Sequence, residues 1–493
     1  MMIRLFRVSI PSSVLALVLS ETILIFSCYL LAAYWTLETS PEIFLLDDAG
    51  ILRIALVTGL IQMGLYLSDL YENYRIRSRI ALVQQYSVII GVAFLSQALL
   101  SYGRWDIILP KWMMVYGSIF VLLLVPPWRM IFTNTVWKAM GAQRLLFLGF
   151  SPVIQQIVTR ILERPELGMT PLGFLERDQS TGFAGAGNSA LFSATRSVAG
   201  ASSTMTVDAP IVSTPAIERL GNASDLIEVS ERLRPDRIVV GMSERRGQLP
   251  IHDLLQLRFA GMHIEEATTV FEGIFGRVST RELHPSQLVF SHELGPKPAM
   301  VSLQAVYSLV LGLAAVIVAA PVMCLVALLV RLSSSGPVLY SQIRLGMDGK
   351  PFRLYKFRSM RQDAEAVSGA VWATKDDPRV TPLGRFLRKS RLDELPQLLN
   401  VMRGEMALVG PRPERPEFVK VLEEKIPYYR HRLCVKPGVT GWAQINHKYG
   451  DTVEDTIVKL EYDLYYIKNL APSLDLYIIF HTIKTVLLGR GAQ

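Results

Sequence analysis

Apolar residues crowd into four runs in the first part of the chain, around residues 14–34, 51–71, 80–102 and 112–132. Each is close to the length of about 20 residues at which a helix crosses a bilayer, so a four-helix transmembrane bundle is expected over residues 1–138. A cleaved signal peptide is disfavoured for the first run, because its apolar core is long and three more spans follow. The charges between the runs set an orientation. Arg4 and Arg7 precede the first run and Arg75, Arg77 and Arg79 separate the second from the third, whereas Glu38, Glu42, Asp47 and Asp48 lie between the first two. Basic loops stay on the cytoplasmic side, which places the N-terminus there. Four crossings return the chain to that side near Lys138 and Arg144.

Beyond this point the pattern shortens. "RLLFLGF", "PLGFLE" and "PDRIVVGM" read as buried strands alternating with helical stretches, which predicts a Rossmann-like α/β cytoplasmic domain over residues 139–296. Its first turn, "GFSPVIQQ", lacks the G-x-G-x-x-G fingerprint of dinucleotide binding, so a structural or oligomer-forming role is expected. Residues 178–209 are rich in Ser, Gly, Ala and Thr and poor in charge, as in a flexible insertion. A fifth apolar run occupies residues 297–332 and contains Pro321. Both flanks are basic and a mid-helix proline kinks a helix, so the expectation is a re-entrant hairpin that enters and leaves by the cytoplasmic face. Residues 333–493 form the remaining domain, α-rich and punctuated by Gly and Pro turns. The last apolar stretch, residues 474–488, is short and carries Asp475 and Lys484, which suits a surface-lying or core helix.

Chemistry concentrates at "GRFLRKSRLDELPQLLNVMRGEMALVGPRP". Pro396 is tolerated only in a first helical turn, so a helix is expected to begin at Asp393, with Asp393 as its N-cap. Free N–H groups, with Arg388, Lys389 and Arg391, would keep that carboxylate ionised and able to attack phosphorus. Glu394 would point elsewhere and hold a hard cation such as Mg²⁺. Taken alone, an Asp-Glu pair is more often an ordinary acidic helix start. Arg344, Lys356, Arg358, Arg412 and Lys436 supply cations beside turns, as a diphosphate pocket requires.

The 493 residues are half hydrophobic, with a net charge of +8. That balance suits contact with anionic lipid or anionic substrate, and no nucleic-acid motif accompanies it. Cys28, Cys324 and Cys434 are too scattered to suggest a disulfide framework or a metal site.

Together "GPVLYSQIRLG", "PFRLYKFRSM", "LDELPQLLNVMRGEM", "LVGPRPE", "KPGVTGWAQIN" and "YDLYYI" resemble the bacterial sugar transferases that are polyprenyl-phosphate hexose-1-phosphate transferases, in the long exopolysaccharide-initiating branch with an N-terminal membrane bundle. The resemblance implies transfer of sugar-1-phosphate from a UDP-sugar to undecaprenyl phosphate with release of UMP, at the bacterial inner membrane, using Mg²⁺. It implies that Asp393 is the nucleophile, that Glu394 associates with the metal, and that Lys356, Arg388 and Arg412 lie on the phosphate side. Asp463 matches a further acidic position, grouped here with the substrate-binding residues. Pro321 matches the helix-breaking proline, preceded by Ala320 where serine is common. Glu405 and Ala407 depart mildly from the usual pattern.

Two other functions compete. A membrane-anchored nucleotide-sugar dehydratase needs the glycine fingerprint and a Tyr-x-x-x-Lys pair, neither of which occurs in a suitable context. A non-catalytic scaffold for polysaccharide assembly would need neither Asp393 nor Glu394. The partners expected are a UDP-hexose, undecaprenyl phosphate, membrane lipid and a second copy of the chain, and no motif reports which sugar is moved.

Overall fold

The computed structural model describes residues 2–37, 40–71, 79–101, 108–136, 142–176, 217–241, 249–280, 295–333, 335–361, 379–447 and 452–487. The expected insertion at 178–209, and Arg75, Arg77 and Lys138 of the orientation argument, lie outside the described residues. The chain divides into two compact units, Met1–Gly141 with Phe275–Gln493, and Ala142–Ile274.

A β-hairpin opens the first unit, β1 (Met2–Leu5) against β2 (Val8–Pro11). The apolar runs then become α1 (Ser12–Thr36), α3 (Gly50–Leu67), α4 (Arg79–Ser101) and α5 (Lys111–Ile131), with a short α2 (Pro41–Leu46) that the pattern does not predict. These four, and one later helix, are long and apolar enough to cross a membrane. In hydrocarbon every backbone polar group must be satisfied within the segment, so an unbroken helix is the form such runs take. Packing between α1 and α5 depends on a missing side chain, since a Cβ on Gly117 would fall 2.3 Å from the Tyr29 ring. The Tyr29 hydroxyl then reaches Ser118 at 2.9 Å.

The second unit is a parallel five-stranded sheet in the order β5-β4-β3-β6-β7, built from β3 (Gln143–Leu148), β4 (Met169–Leu175), β5 (Arg219–Gly221), β6 (Arg237–Val240) and β7 (His263–Glu266). The first strand lies at the centre and the chain winds outward to each side, the doubly wound order. Leu145 to Leu148 are fully buried, as a central strand demands. After β3, Ser151 caps α6 (Pro152–Glu163), its Oγ accepting from the Ile154 N–H at 3.4 Å. This serine-and-proline turn explains the absence of the glycine fingerprint. Helices α7 (Leu226–Leu233) and α8 (Ile251–Phe259) cover the sheet through Leu226, Val229, Leu254 and Leu257, and α9 (Ala267–Phe275) leads out.

Returning to the first unit, α10 (Pro298–Ser333) is helical throughout, with Pro321 inside. Its first half buries Gln304, Ser308 and Gly312, and its second half buries Val326 and Val330. Both halves pack on the elements that follow. Gln304 donates to the Val409 carbonyl at 3.1 Å, and Val326 and Val330 join Phe357 and Leu387 in one apolar cluster. Next come the antiparallel pair β8 (Leu339–Leu345) and β9 (Pro351–Phe357), then α11 (Pro382–Lys389), a 3-10 turn Leu392–Glu394 and α12 (Gln397–Met402). Strands β10 (Ala407–Val409) and β11 (Gly438–Thr440) pair in parallel, flanking α13 (Pro416–Lys425) and a 3-10 segment Tyr429–Cys434. Helices α14 (Trp442–Asn446), α15 (Val453–Lys468) and α16 (Pro472–Leu487) complete the domain.

The short final helix proves to be a docking element. Asp475 is buried and accepts hydrogen bonds from Gln304 at 2.7 Å, from Tyr466 at 2.8 Å and from Tyr307. Lys484 reaches Asp69 of the bundle at 2.6 Å, and His481 Nδ1 lies 2.6 Å from the Tyr66 hydroxyl. At the other end, the Tyr465 hydroxyl donates to the Arg7 carbonyl at 2.8 Å, and Arg4 hydrogen-bonds Asn469.

Candidate active site

The floor of the site is the end of β9, "KFRSM", against the start of α11. Thr381 caps α11, its Oγ1 accepting from the Gly384 N–H at 2.9 Å, and Pro382 supplies the fixed φ of a first helical residue. Helix and strand meet at Gly384, where a Cβ would lie 1.9 Å from the Ser359 carbonyl oxygen. Only glycine permits that approach, and it brings Arg388 Nε to 3.0 Å from Ser359 Oγ.

After α11 the chain reverses through Arg391, whose φ of 55° lies in the left-handed region. Such a conformation is uncommon for a non-glycine residue and is held here by the Arg391 N–H on the Arg388 carbonyl at 3.1 Å. This turn corrects the expected helix start. Asp393 and Glu394 lie in the 3-10 turn, and Pro396 precedes α12, so Asp393 is not a helix N-cap. A proline argument limits how far a helix extends toward the N-terminus but does not signal a left-handed residue upstream.

Asp393 is 7 % exposed. Burial pushes its carboxyl up to about 6, against the pull of Lys356, and Glu394 beside it adds to the rise. Desolvation thus outweighs the surrounding cations in placing this carboxyl, which at about 6 is still mostly ionised at neutral pH. Glu394 receives most of that positive field. Burial would raise it too, but Lys356, then Arg412 and Arg391, hold its carboxyl far below the usual range. Lys356 Nζ and Arg412 Nη2 both donate to Oε1 at 2.9 Å, and Arg391 stands 3.8 Å from Oε2.

The structure thus brings together Asp393, Glu394, Lys356, Arg388 and Arg412. Asp463 is placed differently. It is 2 % exposed and its Oδ2 accepts from Arg432 Nε at 3.0 Å and lies 2.8 Å from Nη2. Burial lifts its carboxyl to about 6 despite Arg432. Arg432 is a site-shaping residue that the sequence reading missed, and Arg391 was read for its charge but not for its left-handed turn. A buried acid requires a cationic partner, so Asp463 itself was the signal pointing to Arg432. Pro321 lies within α10, on its exposed side.

Among the described residues, no three His, Cys, Asp or Glu side chains converge. One or two carboxylates suit a Mg²⁺ ion that completes its shell with substrate phosphate and water, rather than a metal caged by protein alone. Glu394 fits that arrangement through Oε2, since the hydrogen bonds of Lys356 and Arg412 fall on Oε1.

Fold and site define a membrane protein whose acid pair is ringed by Lys and Arg on a domain that follows a long apolar helix. The model of the family described as Bacterial sugar transferase matches residues 300–489, and the chain belongs to that family. It is similar to the UDP-N-acetylgalactosamine-undecaprenyl-phosphate N-acetylgalactosaminephosphotransferase of Aeromonas hydrophila, with 42% identity over 231 residues, covering 47% of this chain and 53% of the relative. Similarity to the UDP-glucose:undecaprenyl-phosphate glucose-1-phosphate transferase of Escherichia coli (strain K12) is 45% over 186 residues, 37% of this chain and 40% of the relative. The exopolysaccharide production protein PSS of Rhizobium leguminosarum bv. phaseoli is 42% identical over 186 residues, 36% of this chain and 93% of the relative. The chain therefore spans about half, or less, of the length of the first two relatives and nearly all of the third.

Proposed function

We propose that the chain is a phosphoglycosyl transferase that moves sugar-1-phosphate from a UDP-sugar to undecaprenyl phosphate and releases UMP, as the first membrane step of exopolysaccharide or related glycan synthesis. The observation that carries this reading is the cluster itself: a buried carboxylate beside a second one that is gripped by Lys356 and Arg412 at 2.9 Å.

The chemistry follows in two displacements. An ionised Asp393 oxygen attacks the sugar-bearing phosphorus, the phosphoanhydride bond breaks, and UMP leaves with the bonding electrons. The lipid phosphate then attacks the same phosphorus, and the aspartate carboxylate leaves. Phosphoryl transfer depends on positioning and on neutralising charge, so Lys356, Arg388 and Arg412 are assigned to the phosphate oxygens. Lys356 and Arg412 donate to Glu394, and a diphosphate would compete for the same donors. Glu394 is also the residue assigned to Mg²⁺, which would supply further charge neutralisation on the diphosphate.

The re-entrant reading of α10 is supported by its two ends. A straight crossing would leave those ends on opposite sides of about 30 Å of hydrocarbon. Gln304 and Val330 instead pack on one domain, and Arg331 Nη1 donates to the Gly336 carbonyl at 3.1 Å. Both ends then lie at the cytoplasmic face of the inner membrane, where UDP-sugars are found. A homo-oligomer built through the Ala142–Ile274 unit completes the proposal.

The relatives are named for different sugars. The test is accordingly a panel of UDP-hexoses and UDP-N-acetylhexosamines, offered to membranes containing the protein with Mg²⁺ and undecaprenyl phosphate. UMP and a lipid-linked sugar phosphate are expected from at least one donor. No UMP from any donor, under conditions where a relative works, overturns the assignment.

A further inference from the structure

The turn that carries Arg412 cannot hold itself. Pro411 and Pro413 have no N–H, so two of its three residues offer no backbone donor. Both prolines are buried, and their carbonyls need partners from elsewhere in the fold. Three successive carbonyls find them. Pro411 O accepts from the Gly438 N–H at 3.0 Å, Arg412 O from Arg432 Nη2 at 2.9 Å, and Pro413 O from Arg344 Nη1 at 3.2 Å.

Of these three contacts, that of Arg432 bears on the functional residue itself. Its side chain is 7 % exposed, and each of its nitrogens donates: Nε to Asp463, Nη1 to the Tyr429 hydroxyl at 2.8 Å, and Nη2 to the Arg412 carbonyl while lying 2.8 Å from Asp463 Oδ2. The head also stands 5.3 Å over the Tyr429 ring. With Nε, Nη1 and Nη2 each hydrogen-bonded to protein, the guanidinium is held in place against the Arg412 main chain. Its charge is balanced by Asp463, so the Arg412 main chain meets a strong donor without an unpaired buried cation.

We propose that Arg432, neutralised by Asp463, is a positioning residue that fixes where Arg412 presents its guanidinium. The inference rests on the phosphate role assigned to Arg412 above. It makes Asp463 a support for Arg432 rather than a substrate ligand. The dependence is steep because displacing a charged group by about 1 Å costs about 100-fold in rate.

Two measurements on the full-length protein in membranes decide it. The first is a double-mutant cycle on kcat/KM for UMP release. Arg432→Gln should lower it about 10- to 100-fold. In an Arg412→Ala background the same change should cost little more, whereas with Lys356→Ala the losses should multiply. Losses that multiply equally in both backgrounds mean a merely structural residue and overturn the proposal. The second is hydrogen exchange, which needs no turnover. Arg432→Gln should quicken exchange in residues 407–416 at least about tenfold, while the bundle and the Ala142–Ile274 unit stay unchanged. Unchanged exchange in that stretch, or an equal rise everywhere, overturns it. Where Arg432→Gln does not fold, Arg432→Lys keeps the charge beside Asp463 but loses the fork, and is read by the same criteria. If the wild type releases no UMP, the functional assignment falls while the exchange result still decides the role of Arg432.

Discussion

Glu21 and Glu394 each accept hydrogen bonds from arginine at under 3 Å, but their surroundings differ. In the bundle, Arg129 Nε and Nη2 bond the two oxygens of Glu21 at 2.7 and 2.8 Å. Tyr71 and Tyr86 add hydroxyl donors at 2.6 and 3.1 Å, and both charged side chains are 0% exposed. One cation meets one anion there, both carboxylate oxygens are bonded, and the pair is sealed from solvent. At the candidate site Lys356, Arg388, Arg391 and Arg412 all act on the two carboxylates of Asp393 and Glu394. Lys356 and Arg412 keep 22% and 32% of their side-chain surface. A balanced, sealed pair fixes the packing of helices, whereas an accessible surplus of cations has room for another anion.

The largest expected effect separates the two regions by activity. Asp393→Asn should reduce UMP release by at least about 1,000-fold, with helical content and membrane retention unchanged. The bundle pair should respond in the opposite sense. Arg129→Ala leaves Glu21 buried and unpaired, so thermal unfolding should show a loss of about 3–5 kcal/mol. Replacing both partners with apolar residues should recover most of it.

A third prediction sets the two carboxylates against each other directly. The folded-state carboxyl of Asp393 lies near 6, above its ordinary 3.8, so the folded protein binds that proton more tightly than the unfolded chain does. Ionised Asp393 therefore costs stability above about pH 6, and the cost vanishes below about pH 4. Asp393→Asn should stabilise the protein at pH 7.5 by on the order of 1–3 kcal/mol, and by nothing at pH 4. Transfer should also slow as pH falls through 6, since the protonated form cannot attack. A flat rate between pH 5 and 8 would contradict this.

The smallest effect concerns Glu394. If it holds the donors of Lys356 and Arg412 until a phosphate arrives, Glu394→Gln should bind UMP or pyrophosphate about tenfold more tightly in EDTA while losing Mg²⁺-dependent turnover. Equal or weaker metal-free binding would show that these cations are not in competition.

Much of this arrangement was legible in the sequence, for reasons that also explain what was not. The spans announce themselves because a bilayer demands long apolar runs, and the alternation around "RLLFLGF" announces a sheet. Asp393, Glu394, Lys356, Arg388 and Arg412 were reached through short motifs that keep their neighbours. The upward shift of the Asp393 carboxyl was not reachable, because burial is a property of the packed domain. Nor was the left-handed Arg391, which carries no glycine to mark it. Arg432 and Asp463 are 31 positions apart, and their pairing exists only once α15 packs against the Tyr429–Cys434 segment. Asp475 and Lys484 marked residues 474–488 as a surface-lying or core helix, and their burial in contacts of α16 with its neighbours decides for the core, a choice that the sequence left open.

The central claim is that one carboxylate oxygen of Asp393 carries the sugar phosphate between donor and lipid. Incubating the protein with a UDP-sugar and Mg²⁺ in the absence of lipid phosphate, quenching in acid and mapping the adduct by mass spectrometry tests it most directly. The account predicts a hexose-phosphate mass on the peptide containing Asp393, absent in Asp393→Asn and discharged when undecaprenyl phosphate is added. An adduct on any other residue, or UMP release with no adduct at any time during turnover, would contradict it.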